Sequence, residues 1–257
     1  MNDREVNKQG TDEWIAGKHA VAEALRAGRD IHKIWIAEQS RKPSMQPIVA
    51  EAKRRQIVVQ YVDRVKLDQM VPEIRHQGIV AQVAAYRYAD IEDLLAAAKH
   101  RNVAPFFVIL DEIEDSHNLG SILRTADCAG AHGVIVPKRR SAGLTAAVAK
   151  TSAGAVEHVP VARVTNLART IERLKEEGVW IVGADPRAER TVYETDLTLP
   201  IAVVIGNENS GISRLVREKC DYLAKLPMFG QINSLNASVA AALFMYEVVR
   251  QRNASAT

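Results

Sequence analysis

The apolar positions of this chain follow two different rhythms. Over the first third they form short runs broken by polar residues. Positions 31–36, 57–62 and 78–84 read as strands, and 17–27 and 47–55 as helices, which together predict a small α/β unit over 12–88. Lys53, Arg54 and Arg55 close the second of these helices, where positive charge suits the helix dipole. Positions 90–100 grade from acidic to basic as one helix, and the domain boundary is placed at the polar 100–102, within a connecting segment over 89–104. From Pro105 onward strands and helices alternate regularly. Positions 106–110 are a near-continuous apolar strand, as expected where both faces of a sheet are covered. Leu119, Ile122, Leu123 and Ala126 recur at helical spacing. Further strands are predicted at 133–136, 159–164, 179–184, 201–205 and 222–226. Helices are predicted at 145–150, 166–177, 210–219 and 237–250, the last with Ala240, Leu243, Phe244 and Val248 on one stripe. The pattern over 105–253 is that of a parallel-sheet α/β domain.

Composition narrows this picture. The 257 residues contain no run long enough to span a membrane. The polar first eleven residues lack the apolar stretch of a signal peptide and are expected to be a disordered tail. The expected location is cytoplasmic. Cys128 and Cys220 fall within predicted helices at no metal-ligand spacing, so they are expected to be buried free thiols. No His/Cys/carboxylate cluster calls for a metal. Net charge is +3, and the surplus lies early: residues 1–88 carry 15 Lys+Arg against 11 Asp+Glu, while 89–257 carry 19 against 20.

Candidate chemistry sits where predicted strands end. In open α/β sheets ligands bind beyond the carboxyl ends of strands, and three such ends are rich in Gly and small polar residues. The first carries His117, Asn118, Ser121 and Arg124. Asn118 precedes a helix and could simply cap it, while Arg124 lies off the apolar stripe with Ser121 and His117. The second runs Gly206, Asn207, Glu208, Asn209, Ser210, Gly211. It matches neither a phosphate-loop nor a dinucleotide fingerprint, and Gly206 would let a ligand approach the backbone. The third crowds Asn233, Ser234, Asn236 and Ser238 into the entrance of the last helix, where folding alone needs one N-cap.

In this order the three loops resemble the SpoU-type RNA 2′-O-methyltransferases of the SPOUT superfamily. The resemblance rests on Asn118 and Arg124, on Ile205-Gly206-Asn207-Glu208 with Gly211, and on Leu226-Pro227-Met228 followed by Ser234-Leu235-Asn236 and Ser238. The first unit, with Ile15, Gly17, His19 and Val21 and the 76–81 segment His-Gln-Gly-Ile-Val-Ala, is similar to the L30e-like RNA-binding domain of the bacterial 23S rRNA guanosine-2′-O-methyltransferase group. Departures are Asn207-Glu208-Asn209, where some members carry Ala-Glu-Gly, and Phe229, where the loop often holds a small residue.

The resemblance implies a fold: an N-terminal L30e-like α/β domain followed by an α/β trefoil-knot domain that pairs with a second copy. It implies S-adenosylmethionine as methyl donor, held mostly by backbone at Gly206, Leu226, Met228, Ile232, Ser234 and Leu235. It implies Arg124 as the catalytic residue, with Asn118, Glu208 and Asn236 beside it. Glu208 would orient Arg124 or Asn236. An arginine is ordinarily protonated, so two roles stay open for Arg124. It acts as a neutral base on the ribose 2′-hydroxyl, or as a cation that binds the adjacent phosphate and lowers the hydroxyl's proton affinity. RNA contacts are expected at His19, Arg26, Lys138, Arg139 and Arg140, with Arg29, Lys53, Arg54 and Arg55 extending the basic track. The implied substrate is a guanosine of 23S rRNA, the alternatives being tRNA or another rRNA nucleotide. A non-catalytic RNA-binding module is the reading from another class.

Overall fold

The computed structural model describes residues 13–72, 74–100 and 103–255. The expected disordered tail and most of the 100–102 segment lie outside them. The chain divides into two compact units.

The first unit is built on a four-stranded sheet of β1 (Glu13–Ala16), β2 (Ile31–Ala37), β3 (Val58–Val62) and β4 (Ile79–Val83), in the order β1-β4-β2-β3. Strand β4 runs antiparallel to β1 and β2, whereas β2 and β3 are parallel. Its helices are α1 (Lys18–Arg26), α2 (Gln46–Arg54) and α3 (Arg64–Met70). Alternation along β2 sends Trp35 and Ala37 to a cluster with Leu67 of α3, leaving Ile34 and Ile36 for the other face. The sequence pattern missed β1 and α3: the former is only four residues long and the latter two turns.

This unit also recruits Leu144–Glu157, which the sequence reading assigned to the later domain. Here α6 (Ala146–Thr151) packs on β1 and α1. A Cβ at Gly154 would come within 2.3 Å of the Glu23 Cβ, so only glycine lets the backbone lie this close to α1. The join is polar as well. Arg29 is buried, donates to Glu157 at 3.0 Å and to Glu13 at 3.3 Å, and lies 3.3 Å from the centre of the Tyr86 ring. The Tyr86 hydroxyl also donates to Glu157, at 2.8 Å. Arg29 is therefore an internal structural cation and not part of an RNA track.

The second unit holds a fully parallel six-stranded sheet. Its strands are β5 (Phe106–Leu110), β6 (Gly133–Pro137), β7 (Val161–Val164), β8 (Trp180–Ala184), β9 (Ile201–Ile205) and β10 (Tyr222–Ala224), in the order β10-β8-β9-β5-β6-β7. One face is covered by α4 (Ile91–His100), α7 (Leu167–Glu176) and α8 (Arg214–Lys219), which meet Phe107, Ile109, Ala202 and Val204 in one core. The 89–104 segment is thus mostly a packed helix and not a linker, because Leu94, Leu95 and Ala98 are buried in that core.

The other helices of this unit are α5 (Ser116–Cys128) and α9 (Ala237–Ser255), which pack together, α9 also meeting β9. The buried stripe of α9 is Ala237, Ala241, Phe244, Met245 and Val248, while Leu243 is exposed with Val239 and Tyr246. Of the expected stripe, Phe244 and Val248 are buried, Ala240 is part-buried and Leu243 is exposed, because this helix is apolar on several faces. Arg252, near its end, donates to the carbonyls of Ala104, Pro105 and Leu199, and burial lowers its pKa. Cys128 is exposed at the end of α5, contrary to expectation. Cys220 is part-buried, and burial pushes its thiol up to about 12. No helix among the described residues is long and apolar enough to cross a membrane.

Candidate active site

Strands β5 and β9 lie side by side, yet the chain leaves them in opposite directions across the sheet: β6 and β7 extend beyond β5, and β8 and β10 beyond β9. This is a topological switch point, where the loops beyond the strand ends diverge and open a crevice. The loops after β5 and β9 are stitched together there. Asp111 accepts from the Ser213 backbone at 2.7 Å, and Asn207 donates to the Glu112 carbonyl at 3.0 Å. The Asn207–Gly211 turn closes on itself through reciprocal backbone bonds of 3.1 and 2.8 Å. Gly206 serves this closure. A Cβ there would come within 2.2 Å of the Gly211 carbonyl carbon, so glycine is needed here for the approach of the chain to itself.

Glu208 projects from this turn and joins α5 to α9. Its Oε1 accepts from Asn118 Nδ2 at 3.0 Å, from the Ala237 backbone N–H at 3.0 Å and from Asn236 Nδ2. Asn236 Nδ2 also donates to Asn118 Oδ1 at 2.9 Å. The Asn236 carboxamide oxygen points the other way and accepts from the Ser238 and Val239 backbones at 3.0 and 3.3 Å and from the Ser238 hydroxyl at 2.6 Å. Asn236 is therefore the N-cap of α9, and capping fixes which end of its amide faces Glu208. A carboxylate at a helix N-terminus is also favourably placed in the helix field.

Of the four expected catalytic residues, the fold brings Asn118, Glu208 and Asn236 into contact. Asn118 lies inside α5 and does not cap it; Asp115 does, accepting from the His117 backbone at 2.8 Å. Arg124 stands apart, six residues further along α5, or about 9 Å along its axis. It is exposed, and among the described residues it makes no hydrogen bond or ion pair. Glu208 accordingly orients Asn118 and Asn236, and not Arg124.

A cavity of about 730 Å³ adjoins this network. Of the residues expected to hold a cofactor, Gly206, Leu226, Met228, Ser234 and Leu235 line it, and Phe244 and Ala240 form part of its apolar wall. Ile232 does not line it and is 75% exposed. The departure Phe229 is 98% exposed. Ser234 is exposed and plays no part in capping α9.

The sequence reading missed Asp185 and Arg187 on the cavity wall, although they directly follow β8 and the strand-end rule applied to them equally. Burial alone would raise the Asp185 carboxyl. Hydrogen bonds from the Arg187 side chain and backbone, together with the Arg217 charge, outweigh it and hold the pKa below its ordinary value. Arg217 Nε lies 2.9 Å from Asp185 Oδ2.

The basic residues expected to meet RNA divide. His19 is exposed on α1, and Arg26 pairs with Glu23 at 3.0 Å. Arg54 and Arg55 both pair with Glu51. Lys138 and Arg139 are exposed without ion pairs among the described residues, whereas Arg140 pairs with Glu112 at 2.7 Å.

Residues 105–246 match the model of the SpoU rRNA methylase family, and residues 14–89 match that of the RNA 2′-O ribose methyltransferase substrate-binding domain. The chain belongs to the SpoU methylase family. It is 57% identical over 241 residues to a putative TrmH family tRNA/rRNA methyltransferase, YacO, of Bacillus subtilis, covering 94% of this chain and 96% of the relative. It is 51% identical over 239 residues to a putative TrmH family tRNA/rRNA methyltransferase of Staphylococcus haemolyticus, covering 93% and 96%. Among solved structures it is similar to the SpoU methyltransferase AviRb of Streptomyces viridochromogenes in complex with AdoMet. The TM-score is 0.79 with 26% identity, over 96% of this chain and 94% of that one. The mixed α/β architecture, a sheet unit followed by a parallel-sheet unit, is the SPOUT arrangement that the sequence resemblance implies. As a SpoU-family protein the chain is an RNA methyltransferase.

Proposed function

We propose that this SpoU-family chain transfers a methyl group from S-adenosylmethionine to a ribose 2′-hydroxyl of RNA, the target being a guanosine of 23S rRNA. The observation that carries the reading is the Asn118–Glu208–Asn236 network bordering a cavity at the switch point. The residues present suit the donor. About 730 Å³ is within the usual range for a cofactor site. Apolar Leu226, Met228, Leu235 and Phe244 offer a bed for an adenosine, and the carboxylate of Glu208 favours a cationic sulfonium. Bound there, the donor supplies an already electrophilic methyl group.

The chain's own residues then do two things. The network fixes the start of α9 against α5, so that reactants meet in one geometry. Arg124, exposed and unpaired among the described residues, is left to the RNA. It ion-pairs with the phosphate next to the target ribose, and its charge lowers the 2′-hydroxyl's proton affinity, so that the proton passes to solvent water as the oxygen takes up the methyl group. The alternative, a neutral Arg124 acting as base, needs a device to strip its proton. RNA would be held further by Lys138 and Arg139, and by His19 and Arg26 of the first unit. A second copy of the chain would cover the exposed apolar residues of α9, Val239, Leu243 and Tyr246, in keeping with the resemblance.

The test is transfer of labelled methyl groups to 23S rRNA, 16S rRNA and bulk tRNA, supplied separately. Label at a single alkali-resistant linkage in 23S rRNA supports the reading and locates the guanosine. Label in tRNA moves the activity to the alternative substrate. RNA binding without label on any of the three favours the binding module.

A further inference from the structure

A second groove of the second unit lies away from the cavity just described. It holds about 500 Å³ and runs between the first turn of α4, the end of β7 and the first two turns of α7. Three arginines line it: Arg163, Arg169 and Arg173. Arg173 is already paired with Glu177 at 2.8 Å. The other two are exposed and make no close ion pair among the described residues, although the Arg169 charge, after that of Lys219, helps to lower the Glu172 carboxyl. Arg163 donates to the Lys138 carbonyl at 3.1 Å and lies 5.2 Å from the centre of the Tyr88 ring. The same bond joins the groove to the β6–β7 loop, where Lys138 and Arg139 are also exposed without ion pairs among the described residues. Folding gains little from four exposed cations that make no close ion pair, since like charges gathered in one region repel. Asp90 and Glu92 line the α4 side of the groove, at a helix start where acidic residues are at home.

We infer that this edge is a backbone track for RNA, in which Arg163 and Arg169 bind successive phosphates and Lys138 and Arg139 continue the line. The inference rests on the RNA-methyltransferase reading and adds a site to it. Residues beyond the methylated nucleotide would be held at the β7 edge, and contacts of this kind set position and register without reading sequence. Arg163, with Nη2 engaged by the Lys138 carbonyl, keeps further guanidinium N–H groups for phosphate contact.

The test measures binding of labelled 23S rRNA fragments by the full chain over a range of salt concentrations. It compares the native protein with Arg163→Gln/Arg169→Gln and with Arg163→Lys/Arg169→Lys, and S-adenosylmethionine affinity is measured alongside. Loss of two phosphate contacts is expected to make the slope of log affinity against log salt shallower by about 1.5 in the Gln pair. The Lys pair, with charge retained, should keep most of the slope, and donor affinity should stay unchanged in both. Asp90→Asn/Glu92→Gln should tighten RNA binding. Native slope and affinity in the Gln pair would overturn the proposal. So would an equal loss in the Lys pair, because that loss would belong to packing and not to charge. If the native protein shows no salt-dependent RNA binding at all, the RNA reading itself fails and takes the groove with it.

Discussion

Asn236 caps the last helix with its carboxamide oxygen and turns its Nδ2 toward Glu208 and Asn118, so one side chain both starts a helix and assembles the site. Replacing it tests both roles. Asn236→Ala should lower stability by about 1 kcal/mol for the lost cap. Methyl transfer should fall by much more than that loss of folded protein explains. Asn236→Asp keeps the capping oxygen but sets a second carboxylate against Glu208, so it should recover stability without recovering activity. Thermal melts read beside initial rates separate the two contributions.

Arg124→Ala should behave in the opposite manner. The side chain is exposed and unpaired among the described residues, so the melting transition should stay within about 0.5 kcal/mol of native. The rate of transfer should fall by roughly 10²–10³, the range for loss of a group that stabilises charge developing on the attacking oxygen. A rate within a few-fold of native would remove Arg124 from the chemistry.

Arg29 is expected to matter for folding alone. Its truncation leaves Glu157 buried beside Glu13 with no cation, a defect that typically costs about 3–5 kcal/mol. Arg29→Ala should therefore shift the denaturant midpoint strongly. Arg26→Ala, which removes only an exposed pair with Glu23, should barely move it.

The fold was legible where elements are long and periodic. The parallel sheet, its order along the chain and the three strand-end loops follow from apolar runs that stay buried on both faces. Short elements such as β1 and α3 gave too few residues to show a period. Other misses were non-local. Nothing in the sequence near Leu144–Glu157 says that its partner is β1, because the signal is a buried pair, Arg29 and Glu157, 128 residues apart. The site was legible in the same measure. Asn118, Glu208 and Asn236 were picked out as a set, but which of them caps a helix and which carboxylate each amide faces depended on the tertiary arrangement. Asp185 obeyed the same strand-end rule and was passed over because it carried no glycine-rich loop.

Asp185 makes the cavity wall acid-sensitive. Its folded pKa lies below the unfolded value, so its stabilising effect is complete above the unfolded pKa, near 4, and is lost as pH falls through the folded value. Below about pH 4 native protein should lose stability more steeply than Asp185→Asn, which has already lost the charge. Parallel acid titrations monitored by tryptophan fluorescence would show this, and identical curves would exclude the effect.

The two thiols should react very differently. Cys128 is exposed, whereas burial raises the Cys220 thiol to about 12 and its Sγ donates to the Val216 carbonyl at 3.4 Å. A maleimide at neutral pH should label Cys128 within minutes and reach Cys220 only on unfolding. Peptide mapping of the labelled native chain reads the outcome directly.

The central claim, that the α5–β9–α9 crevice methylates a ribose, is tested most directly by digesting the product RNA to nucleosides and identifying the methylated one by mass. Donor and RNA affinities are measured on the same samples for native protein and Arg124→Ala. The account predicts a 2′-O-methylnucleoside, guanosine for the proposed target, made by the native chain and nearly absent with Arg124→Ala at unchanged donor affinity. A base-methylated nucleoside, or a ribose methylated equally well without Arg124, would contradict it.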